Sequence, residues 1–89
     1  MKIVWSQDSW DQHEYWQNTD RKILKRINVL IRDILRGDEG GIGKPERLRG
    51  DLSGFWSRRI NDEHRLVYMV DIDSDSLLIA ACRFHYSDR

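Results

Sequence analysis

Four side chains from three separate stretches of the sequence could together perform one kind of chemistry. They are the Glu46 carboxylate, the Arg65 guanidinium, the His85 imidazole and the Tyr86 phenol. Cleavage of RNA through its own 2′-hydroxyl requires a base for that proton, a cation for the phosphorane and an acid for the departing 5′-oxygen. Glu46, Arg65 and His85 match these requirements in that order, with Tyr86 or another arginine assisting. Taken singly, each of these residue types is more often an ordinary surface residue than a catalytic one.

The stretch GFWSRRINDEHRLVY, residues 54–68, places three arginines and a histidine among strand-forming residues. A hairpin in a small domain usually packs one face on the core and leaves the other in water. Two interpretations are therefore open. The cations either solvate an exposed sheet face, or Arg58, Arg59 and Arg65 form a cluster that binds phosphate.

A second group of cations lies on the segment TDRKILKRINVLIRDILRG. Fifteen basic and fifteen acidic residues give the chain no net charge. A protein that captures free nucleic acid by charge alone is usually basic, so the total charge does not favour that function. Residues 21–36 nevertheless hold six cations against the single anion Asp33. The basic face, which includes Lys22, Lys25 and Arg26, serves either solubility or contact with a polyanion.

Several other kinds of site are not expected. Three scattered histidines and one cysteine have no metal-ligand spacing, so neither a metal nor a cofactor is expected. The glycine-rich stretch 37–54 is not a Walker phosphate-binding loop, because its glycine spacing is wrong and Pro45, rather than Ser or Thr, follows Lys44. No apolar run is long enough to span a membrane, and the N-terminus turns polar too early for a signal peptide. A lone Cys82 fits a reducing, cytoplasmic location.

Hydrophobic periodicity predicts the element order β-α-α-β-β-β. Strands are expected at 2–5, 55–60, 64–71 and 77–85, and a first helix at 7–17 capped by Ser6. The second helix is the clearest element, with Thr19 as its expected cap and Gly37 as its end. The pattern is that of an α+β protein, with two N-terminal helices packed on one face of a small, mostly antiparallel sheet. Residues 1–89 are expected to form a single domain.

Alternation along the strands predicts which side chains share a face. In the hairpin, Glu63, Arg65, Val67 and Met69 share one face, and Leu66, Tyr68 and Val70 the other. In the last strand, Leu78, Ala80, Cys82 and Phe84 are assigned to the helix-covered core, and Leu77, Ile79, Ala81, Arg83 and His85 to the opposite face. Cys82 and His85 would then point in opposite directions, which argues against a Cys–His nucleophile. Trp10 and Trp16 lie about 240° apart around a helix, so they cannot share one stripe.

The stretches GKPERLRGDLSGFWSRRINDEHRLVYMV and LLIAACRFHY resemble the YoeB/Txe family of toxins, within the RelE superfamily. The opening IVWSQDSWDQHEYWQNTD is similar too, so the resemblance spans essentially the whole chain. Its joint pattern of GKPE, LSGFWSRRI, EHRLVY and CRxHY is specific. The resemblance implies a RelE-like domain and a type II toxin that acts as a ribosome-dependent mRNA endonuclease, cutting the A-site codon and halting translation.

Carried over by position, the resemblance makes Glu46 the general base, Arg65 the residue that stabilises the transition state, and His85 the general acid. Tyr86 helps to orient the substrate. Cations near the phosphate backbone are expected at Arg49 and Arg59. The full set of expected RNA or ribosome contacts is Lys22, Lys25, Arg26, Lys44, Arg49, Arg58 and Arg59.

The resemblance also implies partners: a cognate antitoxin of the YefM/Axe type, and a ribosome carrying mRNA in its A site. A homodimer is a further expectation. The chain departs from the family pattern at Arg47, at Phe84 and in the extension Ser87-Asp88-Arg89, which bears on the placement of Tyr86. Two alternatives remain, a non-enzymatic gyrase poison of the ParE type and an inactive antitoxin-binding module. Retention of Glu46, Arg65 and His85 argues against both.

Overall fold

The computed structural model describes residues 1–37 and 41–85. The elements in chain order are β1 (Lys2–Trp5), α1 (Gln7–Thr19), α2 (Arg21–Leu35), β2 (Glu46–Arg47), a 3-10 turn (Gly50–Leu52), β3 (Trp56–Arg59), β4 (Arg65–Asp71) and β5 (Ser76–Ala81). The sheet order is β1-β5-β4-β3-β2, parallel between β1 and β5 and antiparallel elsewhere. The predicted α+β architecture is confirmed, with the added strand β2.

The two helices are separated by a single residue, Asp20, which caps the second one. Its carboxylate accepts hydrogen bonds from the backbone N–H groups of Lys22 and Ile23, at 3.0 and 3.2 Å. The sequence prediction that Thr19 is the cap is wrong. The Thr19 hydroxyl donates to the carbonyl of Tyr15 at 2.6 Å, so this residue completes the last turn of α1. The predicted end of α2 is confirmed, since Gly37 follows it with φ +81°.

The hydrophobic core lies between the helices and one face of the sheet. Its helix residues include Trp16, Ile27 and Leu30, and its strand residues include Leu66, Tyr68, Leu77 and Ile79. Trp16 is buried there while Trp10 is 40% exposed, which confirms that the two tryptophans do not share one stripe. Among the described residues, no helix is long and apolar enough to cross a membrane.

The predicted faces of the hairpin are confirmed. Those of the last strand are wrong for residues 77–80 and for Phe84, but right for Cys82 in the core and for Ala81, Arg83 and His85 on the opposite face. Leu77 and Ile79, rather than Leu78 and Ala80, pack against the helices. Both alternating sets are apolar, so hydrophobicity does not distinguish them. The register between β4 and β5 also shifts: Val67 pairs with Ala81, whereas the next residue, Tyr68, pairs with Ile79. The strand then ends at Ala81, short of the predicted residue 85, and Cys82 joins the same core.

Candidate active site

The face of the sheet opposite the helices carries a row of cross-strand neighbours. Glu46 lies opposite Ser57, Ser57 opposite Val67, and Val67 opposite Ala81. Directly opposed residues in antiparallel strands share a face. Two residues further along β3, Arg59 lies opposite Arg65 and therefore points to this face as well. The sheet register thus brings Glu46 and Arg65, which are far apart in sequence, to one surface.

A cavity of about 350 Å³ forms over this surface. Its lining consists of Lys44, Pro45, Glu46, Ser57, Arg59, Arg65 and His85. All three residues proposed for base, cation and acid chemistry therefore meet, together with two of the expected phosphate-binding cations. Three cationic side chains surround one carboxylate, so the cavity suits an anionic group. Its volume lies near the lower end of the range for small-ligand sites.

Arg65 is held firmly within the cavity wall. The residue is 8% exposed, and its Nη1 donates to the carbonyl of Asn61 at 2.7 Å and to that of His64 at 3.1 Å. Both acceptors belong to the turn between β3 and β4. Because these bonds fix the guanidinium before any substrate arrives, its charge is preorganised.

The loop before β2 delivers Lys44 to the cavity in an unusual backbone conformation. Lys44 has φ +51°, in the left-handed region that non-glycine residues seldom adopt. The carbonyl of its neighbour Gly43 accepts a 2.7 Å hydrogen bond from the backbone N–H of Arg59. This bond ties the loop to the end of β3, and thereby places Lys44 beside Arg59.

The segment after β5, residues 82–85, carries His85 and is bound mainly by side chains. The Cys82 N–H donates to Gln12 Oε1 at 2.7 Å, and Trp16 Nε1 donates to the Cys82 carbonyl at 2.9 Å. The Phe84 N–H donates to His64 Nδ1 at 2.7 Å, while the Phe84 carbonyl accepts from the Arg65 N–H at 3.1 Å. Helix α1 and strand β4 therefore fix the backbone that leads to His85.

A larger cavity of about 940 Å³ adjoins the first and shares Glu46 and His85 with it. Arg47, Arg49 and Arg83 contribute cations, and Leu48, Leu52, Val67, Ala80 and Ala81 contribute apolar surface. The expected contact Arg49 therefore lies next to the smaller cavity. A polar, cationic pocket joined to a wider and more apolar one suits a ligand that has both an anionic group and a less polar part.

Arg58 does not belong to this site, and the prediction that it binds phosphate is corrected. It is 3% exposed, and its Nη1 donates to Asp33 Oδ2 at 2.6 Å. Its Nε donates to the Tyr68 hydroxyl at 3.0 Å, and Nη1 also reaches the Ile42 carbonyl at 3.1 Å. The hydrogen bond from Arg58 holds the pKa of Asp33 below its ordinary value. Arg58 thus balances a buried carboxylate.

Gly41 fits closely against this ion pair. A Cβ atom at residue 41 would overlap Asp33 Oδ2 and lie 2.5 Å from Arg58 Nη1. The same carboxylate oxygen accepts the N–H of Ile42 at 3.1 Å. The glycine therefore permits the loop to approach the pair and supply further hydrogen bonds.

The three expected contacts on α2 lie outside both cavities. Lys22 and Lys25 are exposed, and Arg26 is half-buried with Nη2 3.4 Å from the Arg59 carbonyl. Tyr86, together with the extension 87–89, falls outside the described residues. In the described part of the chain, no group of three or more potential metal-binding side chains lies close together.

Cys82 is unsuited to nucleophilic chemistry. The residue is fully buried, and this burial raises the pKa of its thiol to about 12. A thiol is nucleophilic only once it loses its proton. Cys82 therefore acts as a core residue.

Sequence reasoning missed three residues that shape the site: Ser57 in the cavity lining, Gln12 and His64 beneath the segment 82–85. Ser57 could have been found from the strand alternation, since it lies two residues before Arg59. Gln12 and His64 left no comparable signal, because their partners are backbone groups seventy and twenty residues away.

A family model for the YoeB-like toxin of bacterial type II toxin–antitoxin systems matches residues 5–86. The chain belongs to the YoeB toxin family. Toxin YoeB of Escherichia coli K12 is 62% identical over 86 residues, covering 97% of this chain and 100% of the relative. Toxin YoeB of Synechocystis is 57% identical, covering 97% and 98%.

Solved structures of YoeB-family proteins have the same fold. A YoeB/ParE toxin from Agrobacterium tumefaciens superposes with a TM-score of 0.92 at 51% identity, covering 97% of this chain and 100% of that one. YoeB in a heterotetrameric YoeB–YefM complex from Staphylococcus aureus gives 0.86 at 45%, covering 97% and 98%. A YoeB dimer from the same organism gives 0.87 at 46%, with the same coverage.

Proposed function

We propose that this YoeB-family toxin is a ribosome-dependent endoribonuclease, which cuts mRNA in the A site and so inhibits translation. The observation that carries the proposal is the convergence of Glu46, Arg65 and His85 in one cationic cavity. Each of the three side chains has a distinct role in attack by a 2′-hydroxyl on its own phosphate. The reaction needs no cofactor.

Glu46 is proposed as the general base. Its carboxylate removes the proton of the 2′-hydroxyl, and the resulting oxygen attacks the adjacent phosphorus. Three cations line the same cavity, namely Lys44, Arg59 and Arg65. Once the 2′-oxygen attacks, these cations lie beside the phosphate on which negative charge develops.

Arg65 is proposed to stabilise the phosphorane. Negative charge grows on the non-bridging oxygens as the new bond forms, and a fixed guanidinium stabilises that charge without reorganising. The hydrogen bonds of its Nη1 to the turn between β3 and β4 support this role. Lys44 and Arg59 lie in the same cavity and supply further positive charge.

His85 is proposed as the general acid. It donates a proton to the 5′-oxygen as the P–O5′ bond breaks, which leaves a 2′,3′-cyclic phosphate and a 5′-hydroxyl. His85 lines both cavities, which supports a position for it between the phosphate and the next nucleotide. Tyr86 follows it in the chain, and we propose that its phenol orients the substrate.

The ribosome supplies what the chain lacks for RNA capture. Net charge is zero, so long-range attraction to free RNA is weak. A ribosome that already holds mRNA in the A site presents the substrate and part of its binding surface. The exposed Lys22 and Lys25 on α2, with Arg26, are proposed to contact ribosomal RNA. The location of this activity is the cytoplasm.

An antitoxin of the YefM/Axe type is the proposed regulatory partner. The Staphylococcus aureus relative has been solved with YefM, and a YoeB dimer is known from the same organism. The cationic cavities suit an acidic, partly disordered segment that covers the site or displaces His85. By the same similarity, we propose that this chain can form a homodimer.

Mapping of cleavage ends on a defined mRNA tests the proposed function. Wild-type toxin should cut within the A-site codon on programmed ribosomes and leave free mRNA almost intact. Cleavage should persist in EDTA at concentrations that keep ribosomes assembled, and the products should carry a 5′-hydroxyl. Products with a 5′-phosphate would contradict 2′-hydroxyl attack, and gyrase inhibition without any RNA cleavage would favour the ParE-type alternative.

A further inference from the structure

Phe84, the residue before the proposed acid, has a strained backbone that is bound on both sides. Its φ is +67°, in the left-handed region. Such a conformation is unfavourable in a non-glycine residue and persists only where the surroundings enforce it. Two hydrogen bonds do so here, from the Phe84 N–H to His64 Nδ1 at 2.7 Å and from the Arg65 N–H to the Phe84 carbonyl at 3.1 Å.

His64 is placed to act through this backbone rather than on substrate. It is 7% exposed and lines neither cavity. Its ring contacts Trp16 edge-on, with centroids 4.8 Å apart. Because the Phe84 N–H is the donor, Nδ1 carries a lone pair, and the proton of the neutral ring is on Nε2. The imidazole is thus a rigid hydrogen-bond acceptor in a packed environment.

We infer that His64 is a positioning residue for His85. This inference rests on the proposed function and adds to it a residue that orients the general acid. The consecutive residues His64 and Arg65 then contribute to two different steps, protonation of the leaving oxygen and stabilisation of the phosphorane. The side chain of Arg65 stabilises the phosphorane, while His64 and the backbone of Arg65 fix the geometry of the acid.

Removal of the Nδ1 acceptor has a specific consequence. The Phe84 N–H would then lose its hydrogen bond to the protein, and only one of the two constraints on the left-handed conformation would remain. The backbone can then relax toward negative φ, which turns His85 away from the leaving oxygen. A misplacement of about 1 Å in a catalytic group costs about 10²-fold in rate. Protonation of the leaving 5′-oxygen should become slower. Removal of the 2′-hydroxyl proton by Glu46 and stabilisation of the phosphorane by Arg65 should be unaffected.

A substrate that needs no acid separates positioning from general structural damage. In a 5′-bridging phosphorothiolate, sulfur replaces the leaving oxygen and departs as a thiolate without a proton, since thiols are far more acidic than alcohols. Single-turnover cleavage of programmed ribosomes at saturating toxin would be measured with the ordinary and the sulfur-containing codon. His64→Leu removes the acceptor, whereas His64→Asn keeps an oxygen at the position of Nδ1.

We expect His64→Leu to be about 10²-fold slower on the ordinary codon and close to wild type on the phosphorothiolate. His64→Asn should cleave both at nearly the wild-type rate. His85→Ala should follow His64→Leu, and Glu46→Ala should stay slow on both substrates. If His64→Leu does not fold, His64→Gln replaces it, because its oxygen lies one bond too far out to reach the Phe84 N–H.

Equal slowing of His64→Leu on both substrates, or no slowing on either, would overturn the positioning role alone. Failure of sulfur to rescue His85→Ala would instead reject His85 as the acid, and with it the inference. Absence of cleavage by the wild type would reject the proposed function itself.

Discussion

Arg58 and Arg59 are adjacent in β3 and lie on opposite faces of the sheet. Arg58 points toward the helices, is buried, and forms an ion pair with Asp33 at 2.6 Å. Arg59 points to the open face, is exposed, and lines the candidate active site. The same side chain therefore stabilises the fold at one residue and offers charge to a ligand at the next. The strand face, and not the residue type, decides which.

The two faces also differ in how their charges are balanced. Beneath the helices, Asp33 and Arg58 neutralise each other, and Tyr68 and Ile42 provide further hydrogen-bond partners. On the open face, Lys44, Arg59 and Arg65 share a cavity with one carboxylate, Glu46. A balanced pair contributes to folding, whereas an excess of positive charge in a cavity is suited to an anionic substrate.

The largest effect is expected from Arg58→Met, which leaves the Asp33 carboxylate without its cation. Removal of one partner of a buried pair is strongly destabilising, and we expect a decrease of about 3 kcal/mol in the free energy of unfolding. For a domain of this size that lowers Tm by about 12–24 °C. Thermal and urea unfolding would measure it.

Arg59→Met is the matched control for this variant, since it removes the same group from the adjacent, exposed residue. Its free energy of unfolding should stay within about 0.5 kcal/mol of wild type. Equal destabilisation by the two variants would refute the division of roles between the faces. The double variant Asp33→Leu/Arg58→Met should be less damaging than Arg58→Met, because no unpaired charge is left behind.

Much of this architecture could be predicted from the sequence. The periodic isoleucines of α2 and the alternation of β4 are strong local signals, so the helix, the hairpin and the direction of Arg65 were correctly predicted. The role of Arg58 was not correctly predicted, because its partner Asp33 lies twenty-five residues away in the sequence. The lone acid in a basic helix was the available clue.

The placement of His85 was harder to predict for a different reason. The faces of β5 depend on a register shift at Val67/Tyr68, and both of its alternating sets are apolar. Beyond Ala81 the chain leaves the sheet, and its direction depends on Gln12, Trp16 and His64. Alternation assigned His85 to the open face, where it lies, but alternation applies only while a strand continues and β5 ends at Ala81. The resemblance to a toxin family identified the residue without its geometry.

A smaller loss of stability is expected in acid, where the buried pair of Asp33 and Arg58 no longer contributes to the free energy of unfolding. The Arg58 hydrogen bond holds the pKa of Asp33 below its ordinary value of 3.8. The folded state therefore binds this proton less readily than the unfolded chain. The resulting stabilisation is complete above pH 3.8 and is lost as the pH falls through the lower folded-state pKa.

The measurement is the difference in free energy of unfolding between wild type and Asp33→Asn, followed from neutral pH to below pH 3.8. This difference should be constant near neutrality and should shrink in acid. Glu46→Gln is the matched control from the open face, where the carboxylate serves the proposed reaction. If this difference in free energy of unfolding did not change with pH, the Asp33–Arg58 pair would not be the source of the stabilisation.

Changes on the exposed face of α2 are expected to have the smallest effect on the stability of the toxin itself. Their effect should be confined to its binding to ribosomes. Replacement of Lys22, Lys25 and Arg26 by glutamine should leave the fold intact and weaken binding to ribosomes. Each cation that no longer meets a phosphate should reduce the slope of log affinity against log salt by about 1, so the triple variant should reduce it by at most about 3. Single-turnover cleavage at saturating toxin should remain at the wild-type rate, because none of the three residues lines either cavity.

The matched control on α2 exchanges charge for charge, with Lys22→Arg, Lys25→Arg and Arg26→Lys, and should keep both affinity and salt slope. If the glutamine variant bound with unchanged salt dependence but cleaved slowly at saturation, α2 would have to act on the reaction rather than on association. Arg26 would then be the residue to test singly, since its Nη2 lies 3.4 Å from the carbonyl of Arg59, at the edge of the candidate active site.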